Sequence, residues 1–120
     1  MGATHVTVTI SNPADPQRQW EGEFLVDTGA PDCLIPAKHL RAIGIEPRSK
    51  RTYALADGSE MAFDIGLAVI EFMGEVAGGL VVFGNDNAEP LLGVTALESV
   101  GIEVDPRNQR LKRLPAVRLK

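Results

Sequence analysis

The chain has 120 residues, of which 44% are hydrophobic and 23% are charged, and its formal net charge is −4. This length and composition predict one globular domain over residues 1–120. They exclude a disordered chain and a membrane protein, because glycines and charges interrupt every apolar run well before membrane-spanning length.

The expected location is the cytoplasm. The only cysteine, Cys33, has no partner for an internal disulfide. The first ten residues also lack the basic region followed by an apolar core that is typical of a signal peptide.

Alternating polar and apolar residues predict strands along most of the chain. These strands cover 4–10, 19–27, 51–56, 60–65, 67–73, 76–83 and 109–114. Turn clusters are predicted at 12–16 and 105–108, and Asp57-Gly58 gives the strongest hairpin signal. Many short strands with frequent turns indicate an all-β barrel or sandwich.

Two short helices are predicted, at 36–43 and 94–100, and each is ended by a glycine. They belong to an internal repeat. Shifting the sequence by 57 positions lays Leu34–Glu46 over Leu91–Glu103, with five identical residues, and Phe24–Asp27 over Val81–Gly84. Each half reads strand, turn, apolar pair and short helix, which predicts a pseudo-twofold axis within the chain.

An acid ends the first of these repeated strands, where the second half has a glycine. Asp27 follows three apolar residues, and burying a carboxylate there is costly unless donors surround it. The backbone N–H groups of Thr28 and Gly29 can supply such donors, and Gly29 permits close approach of another backbone. Taken alone, the stretch is equally compatible with an Asp that simply begins a turn.

The order of three motifs resembles the retropepsin-like, single-domain aspartic proteases and their small bacterial relatives. Asp27-Thr28-Gly29-Ala30 is followed by a hairpin over 53–63 and then by Leu91-Leu92-Gly93. The similarity covers about Val6 to Leu111. It implies an all-β, retropepsin-like closed barrel or sandwich with a flap hairpin, one or two short helices and a pseudo-twofold axis.

The resemblance also implies roles for individual residues. Asp27 would be catalytic, within an active-site loop that includes Thr28, Gly29 and Ala30. The flap that covers the substrate would carry Ala56, Asp57, Gly58 and Ser59 at its tip. Leu91, Leu92 and Gly93 would support the active-site loop.

The implied function is hydrolysis of peptide bonds by water held between two carboxylates that share one proton. Because the chain has one such Asp, Asp27 from each subunit of a homodimer would form the pair. Thr28 would then bond across the dimer. No cofactor, metal, nucleic acid or membrane is implied, and the partner is a polypeptide substrate. The alternative is a dimeric peptide-binding module of the same fold with little or no catalysis.

Several residues depart from the viral pattern. Pro31 replaces an acid that helps to hold the substrate main chain, so Asp32 is expected to take over part of that role. Val94 replaces an arginine, and the flap tip is more polar; these changes favour a bacterial-type branch. Ala30 cannot donate a hydrogen bond to the catalytic carboxylate, which predicts a mildly acidic pH optimum, nearer neutral than that of pepsin-like enzymes.

Two other features suggest simple structural roles. Cys33 has no neighbouring histidine in sequence and is expected to serve packing. Half of the twelve Lys and Arg residues lie from Arg107 onward, without interleaved aromatics. We interpret this basic tail as a solvated terminal strand rather than a nucleic-acid site.

Overall fold

The computed structural model describes residues 3–117 and 119. Its strands are β1 His5–Asn12, β2 Asp15–Asp27, β3 Cys33–Pro36, β4 Ser49–Ala54, β5 Glu60–Phe72, β6 Glu75–Gly84, β7 Leu91–Gly93, β8 Ile102–Asp105 and β9 Arg110–Arg113; its helices are α1 Ala37–Ala42 and α2 Val94–Ser99. The all-β fold with two short helices, predicted from the sequence, is confirmed. Arg118 and Lys120 of the predicted basic tail lie outside the described residues.

Seven strands form one sheet in the order β1-β2-β7-β3-β6-β5-β4, and β8 pairs with β9 in a second sheet. Strand β1 also pairs with β5, through Thr9–Ser11 and Val69–Glu71, so the large sheet closes on itself. Strand β4 is left outside this ring and pairs with β5. No helix in the described part of the chain is long and apolar enough to cross a membrane.

The core lies inside the closed sheet and beneath the two helices. Its largest fully buried side chains come from most elements of the fold: Val8, Ile10, Phe24, Cys33, Ile35, Leu40, Val81, Leu92, Leu97 and Ile102. Alternating residues of the strands supply most of this set, as the period-two pattern predicts. Burial of these side chains is the main force that holds the short strands together.

The internal repeat is present in three dimensions at the predicted offset of 57. Helix α2 begins and ends 57 residues after α1. Strand β2 pairs in parallel with β7, with Leu25 opposite Leu91, and the equivalent ends of β6 and β3 pair in parallel with Val82 opposite Leu34. After each helix a glycine takes a left-handed conformation, at φ +83° for Gly44 and +70° for Gly101.

Several predicted strand boundaries are wrong. Strand β1 ends at Asn12 instead of 10, and β4 spans Ser49–Ala54 instead of 51–56. Residues 60–65 and 67–73 form one strand, β5, because Gly66 stays in register opposite Val81. A side chain at Gly66 would meet the Phe83 ring, so glycine here allows close packing rather than a turn. Strand β2 begins at Asp15 instead of 19, because the tight turn before it needs only two residues.

Candidate active site

Asp27 ends β2 at the point where this strand has neighbours on both sides. Val26 donates its N–H to the Thr4 carbonyl at 2.8 Å, and Leu25 donates to the Pro90 carbonyl at 2.9 Å. Asp27 lies opposite Gly93 in the parallel pairing with β7. The acid therefore projects from a well-anchored strand end, although its side chain remains partly exposed.

The residues after Asp27 form a tight turn around its carboxylate. Gly29 donates its N–H to Asp27 Oδ1 at 3.0 Å, and Ala30 donates to the Asp27 carbonyl at 3.1 Å. A Cβ at Gly29 would lie 3.3 Å from the same Oδ1, so only a small residue leaves the carboxylate this close to the backbone. Asp27 thus has one oxygen fixed by the loop, and the loop supplies a donor that the sequence predicted.

The first turn of α2 holds this loop from behind. Val94 donates its N–H to the Ala30 carbonyl at 2.8 Å, and Thr95 donates to the Pro31 carbonyl at 3.2 Å. The first N–H groups of a helix lack partners within it, and here they bond to the loop. Helix and loop therefore form one unit.

Strand β7 lies against the same loop. A Cβ at Gly93 would be 2.5 Å from the Asp32 carbonyl carbon, which means that the two backbones touch. Leu92 is fully buried and Leu91 half-buried. These positions agree with the supporting role predicted for the three residues, which remains a prediction.

Cys33 faces the interior beside this contact. The Gly93 N–H points at its Sγ at 3.4 Å, and burial raises the pKa of the thiol to about 11. A buried thiol with a raised pKa is a poor nucleophile. The predicted packing role is confirmed.

The flap hairpin is formed by β4 and β5, with Tyr53 opposite Met61 in register. Its predicted tip residues, Ala56 to Ser59, lie in the turn and are exposed. Asp57 Oδ1 accepts hydrogen bonds from the Ser59 N–H at 2.9 Å and from Ser59 Oγ at 2.5 Å. These bonds lower the pKa of Asp57, and Gly58 takes a left-handed φ of +89°.

A cavity of about 270 Å³ separates the hairpin from the Asp27 loop. Two acids, Asp27 and Asp32, line it, and most of the other lining residues are apolar. The lining residues are Asp27, Gly29, Ala30, Pro31, Asp32, Leu34, Tyr53, Ala54, Leu55, Ala56, Phe63, Val82 and Leu91. Of the predicted site residues, this cavity brings together Asp27, Gly29, Ala30, Leu91 and the flap residue Ala56.

The other predicted site residues lie elsewhere. Leu92 and Gly93 are behind the loop, and residues 57–59 extend beyond the cavity at the exposed tip. Thr28 is exposed and lines a different groove of about 390 Å³, beside α2 and β8. In the described part of the chain, no cluster of three His, Cys, Asp or Glu side chains could hold a metal ion.

The sequence did not assign a role to Arg51, and it gave no contact between Tyr53 and Asp32. Tyr53 donates its hydroxyl to Asp32 Oδ2 at 2.8 Å, and Arg51 Nη1 lies 3.8 Å from the same oxygen. Strand alternation was the available signal, because it directs residues 51, 53 and 55 to one face of the hairpin. The sequence alone could not show that this face meets Asp32.

Comparison with known proteins identifies the family. Residues 18–99 match the family described as "gag-polyprotein putative aspartyl protease". A comparison with curated protein sequences found no match. The bacterial-type branch suggested by residues 31 and 94 stays a prediction.

Two solved structures share the fold. The protease of Simian Foamy Virus (mac), solved in solution, superposes with a TM-score of 0.55 at 15% identity, over 78% of this chain and 91% of that chain. The foamy viral protease-reverse transcriptase in complex with an RNA/DNA hybrid gives a TM-score of 0.54 at 12% identity, over 77% of this chain and 11% of that much longer chain. The match of residues 18–99 covers more than half of the sequence, so the chain belongs to the gag-polyprotein aspartyl protease family, and its fold is that of the retropepsin-like aspartic proteases.

Proposed function

We propose that this chain is one subunit of a homodimeric aspartic endopeptidase in which the two Asp27 carboxylates activate a water molecule. The observation that carries the proposal is the geometry of Asp27. It ends an anchored strand, has one oxygen fixed by the Gly29 N–H at 3.0 Å, and faces a cavity beneath a hairpin. The bond to the Gly29 N–H is also made in ordinary turns, as Asp57 does with Ser59. The anchored strand end and the cavity distinguish Asp27 from such a turn residue.

The internal repeat supports the need for a second subunit. Gly84 occupies the position that corresponds to Asp27 in the second half, and it is buried. A Cβ there would lie 2.5 Å from Leu34 Cδ2, so an acid at this position would require the Leu34 side chain to move. A second identical chain is then the simplest source of the second acid.

In the proposed mechanism the two carboxylates share one proton, because two like charges this close cannot both ionise easily. The ionised carboxylate takes a proton from the water molecule while the water oxygen attacks the scissile carbonyl carbon. The protonated carboxyl group gives its proton to the carbonyl oxygen. The C–N bond of the tetrahedral intermediate then breaks. The amine leaves with the proton held by one carboxyl group, and one hydroxyl of the intermediate returns its proton to the other carboxylate, which restores the shared proton. The Gly29 N–H keeps Oδ1 in place and reduces reorganisation during the reaction.

The face beside Thr28 is the best candidate for the dimer contact. Thr28 is exposed and lines the groove of about 390 Å³ together with residues of α2, β8 and the segment after β9. Leu114 and Val117 in this groove are 42% and 52% exposed. A second copy seated here would cover apolar surface and bring the two Asp27 loops toward each other.

The substrate in this proposal is an extended polypeptide held between hairpin and loop. Its backbone would pair with strand edges, and its alternate side chains would enter pockets. The cavity presents Leu34, Phe63 and Val82 beside Asp27, so apolar side chains are preferred next to the scissile bond.

The experiment is cleavage of an unfolded protein between pH 4 and 7, with and without pepstatin. Asp27→Asn should lose turnover by at least about a thousandfold while keeping its fold. Asp15→Asn, the same change at the far exposed end of β2, is the matched control and should keep full activity. Equal activity of the two variants would overturn the assignment of Asp27.

A mixing experiment tests the shared site. When equal amounts of wild type and Asp27→Asn exchange subunits, only about a quarter of the dimers carry two intact acids, and activity should fall to half that of the wild-type protein alone at the same amount. Unchanged activity on mixing, with exchange verified by sedimentation, would contradict a shared dyad. A wild-type dimer that binds peptide without cleaving it would instead support the peptide-binding module, which the loss of an N–H at Pro31 favours.

A further inference from the structure

We propose that Tyr53 and Asp32, with Arg51 beside them, form a latch that holds the flap hairpin at peptide-binding distance from the active-site loop. Tyr53 and Asp32 are thus positioning residues for the proposed proteolysis. The inference rests on that proposed function for its kinetic test, but not for its structural one. No motif in the sequence marks either residue for this task.

The loop end of the latch is rigid. Asp32 follows Pro31, whose φ is fixed and whose carbonyl accepts a hydrogen bond from Thr95 in α2 at 3.2 Å. The Asp32 backbone also touches Gly93 of β7. Its side chain is only 16% exposed, so its hydrogen bonds face little competition from water.

The hairpin end of the latch is attached to the rest of the fold more weakly than the loop end is. In the part of the chain that the structure describes, β4 is the edge strand of its sheet and pairs with β5 alone. Elements with few buried contacts and exposed backbone hydrogen bonds open locally at low free energy, and every residue of β4 except Tyr53 is exposed. A side-chain contact from β4 to the Asp27 loop therefore controls the width of the cavity between them.

The bond is well formed for this purpose. The Tyr53 hydroxyl donates to Asp32 Oδ2 at 2.8 Å, and the Arg51 guanidinium lies 3.8 Å from that oxygen. The Tyr53 ring packs edge-on against Phe63 of β5, with centroids 6.0 Å apart, which limits its movement. Burial and the Asp32 carboxylate raise the pKa of Tyr53, so the hydroxyl remains a donor at any assay pH.

This arrangement gives Asp32 a different task from the one the sequence suggested. Its Oδ2 is engaged by the flap strand rather than left to hold a substrate main chain. The latch and the cavity share a wall, since Asp32, Tyr53 and Phe63 all line it. Losing the latch should lower the fraction of molecules whose cavity fits a peptide, which raises KM and leaves the chemical step intact.

The first test is amide hydrogen exchange of the folded protein, which needs no activity. Tyr53→Phe should speed exchange at residues 55–59 about tenfold, as expected for the loss of a hydrogen bond to a charged group. Exchange in β1 and β2 should not change. Thr52→Val removes a hydroxyl from the adjacent, outward-facing position and is the matched control. Equal exchange in Tyr53→Phe, Thr52→Val and wild type would refute the latch even if the protein proves to be inactive.

The second test is kinetic and uses a double-mutant cycle. Tyr53→Phe should raise KM for a peptide about five- to tenfold with little change in kcat. Asp32→Asn keeps an acceptor for Tyr53 but loses the charge, so its KM should lie between those of wild type and Asp32→Ala. Asp32→Ala should match Tyr53→Phe. Adding Tyr53→Phe to Asp32→Ala should then have no further effect. A full additional effect, or a fall in kcat alone, would overturn the proposal.

Discussion

Gly93 is the residue at which the structure sets the narrowest steric limit near Asp27. A Cβ there would lie 2.5 Å from the carbonyl carbon, 2.7 Å from the oxygen and 2.9 Å from the Cα of Asp32. Ordinary contacts begin at 3.4 Å, so the Asp32 backbone must retreat by about 0.9 Å to admit one methyl group. That backbone is held by α2 and cannot move freely.

We therefore expect Gly93→Ala to be costly for both stability and activity. Overpacking of this kind costs about 1–3 kcal/mol, and a clash with backbone belongs at the upper end. For a chain of this length, about 3 kcal/mol lowers Tm by roughly 10 °C. Because the displaced segment carries the Asp27 loop, kcat/KM should also fall by about tenfold or more.

The measurement is urea and thermal unfolding at one fixed protein concentration, followed by the peptide assay. Gly78→Ala is the matched control, since a Cβ on this glycine of β6 meets no atom within 4 Å. It should change the free energy of unfolding by no more than about 0.5 kcal/mol. If Gly93→Ala unfolds at the same midpoint as Gly78→Ala, the close contact between β7 and the Asp32 segment does not exist.

Three further predictions concern single groups. Burial raises the pKa of the Cys33 thiol from 9.0 to about 11, so the free energy of unfolding should fall by about 2–3 kcal/mol as pH rises from 9 to 11. Cys33→Ala should remove this pH dependence in urea unfolding measured at several pH values. The same pH dependence in Cys33→Ala and wild type would refute the prediction. Iodoacetamide at pH 8 should likewise spare the native thiol and label the unfolded one. The hydrogen bonds from Ser59 lower the pKa of Asp57, so they stabilise the turn at the flap tip above pH 3.8, and this stabilisation is lost as pH falls through the folded-state pKa. NMR titration should give a higher pKa for Asp57 in Ser59→Ala than in wild type. Gly58→Ala, at φ +89° with free space around it, should cost about 1 kcal/mol through backbone strain alone, and a neutral result in urea unfolding would contradict the left-handed turn.

The repeat shows how much of the fold could be predicted from the sequence. The offset of 57 came from matched leucines and glycines, and it predicted both helices to within one or two residues. Glycines at 44 and 101 ended those helices because each takes a positive φ there. Local chemistry was sufficient for these elements.

The short strands could not be predicted in the same way. Strands β3 and β7 have four and three residues, too few for a period of two to be recognised. Each is a strand because of its partner: β3 pairs with β6, and β7 with β2, from distant parts of the chain. Pairing over such distances is set by the closed sheet and not by local preference.

In the candidate site, too, local features could be predicted from the sequence and long-range contacts could not. Asp27 and its turn are local, so the motif was sufficient to suggest the Gly29 donor. The contact between Tyr53 and Asp32 joins β4 to the segment after the loop, and the two residues are 21 positions apart. Sequence alternation indicated which face of β4 carries Tyr53, but only the three-dimensional arrangement brings that face to Asp32.

The two halves of the repeat share a scaffold, but different hydrogen bonds hold their loops. After Asp27 the loop is held by main-chain bonds from α2, which leave the acid partly exposed beside an open cavity. At the equivalent place, the Lys38 N–H at the start of α1 bonds instead to the Asp86 side chain at 3.0 Å, and Leu34 packs against Gly84. The acid of the second half thus lies two residues past the strand end and bonds to a helix. Asp86 is exposed and accepts a bond from α1, so in the proposed function the internal axis repeats the scaffold and the second acid comes from another chain.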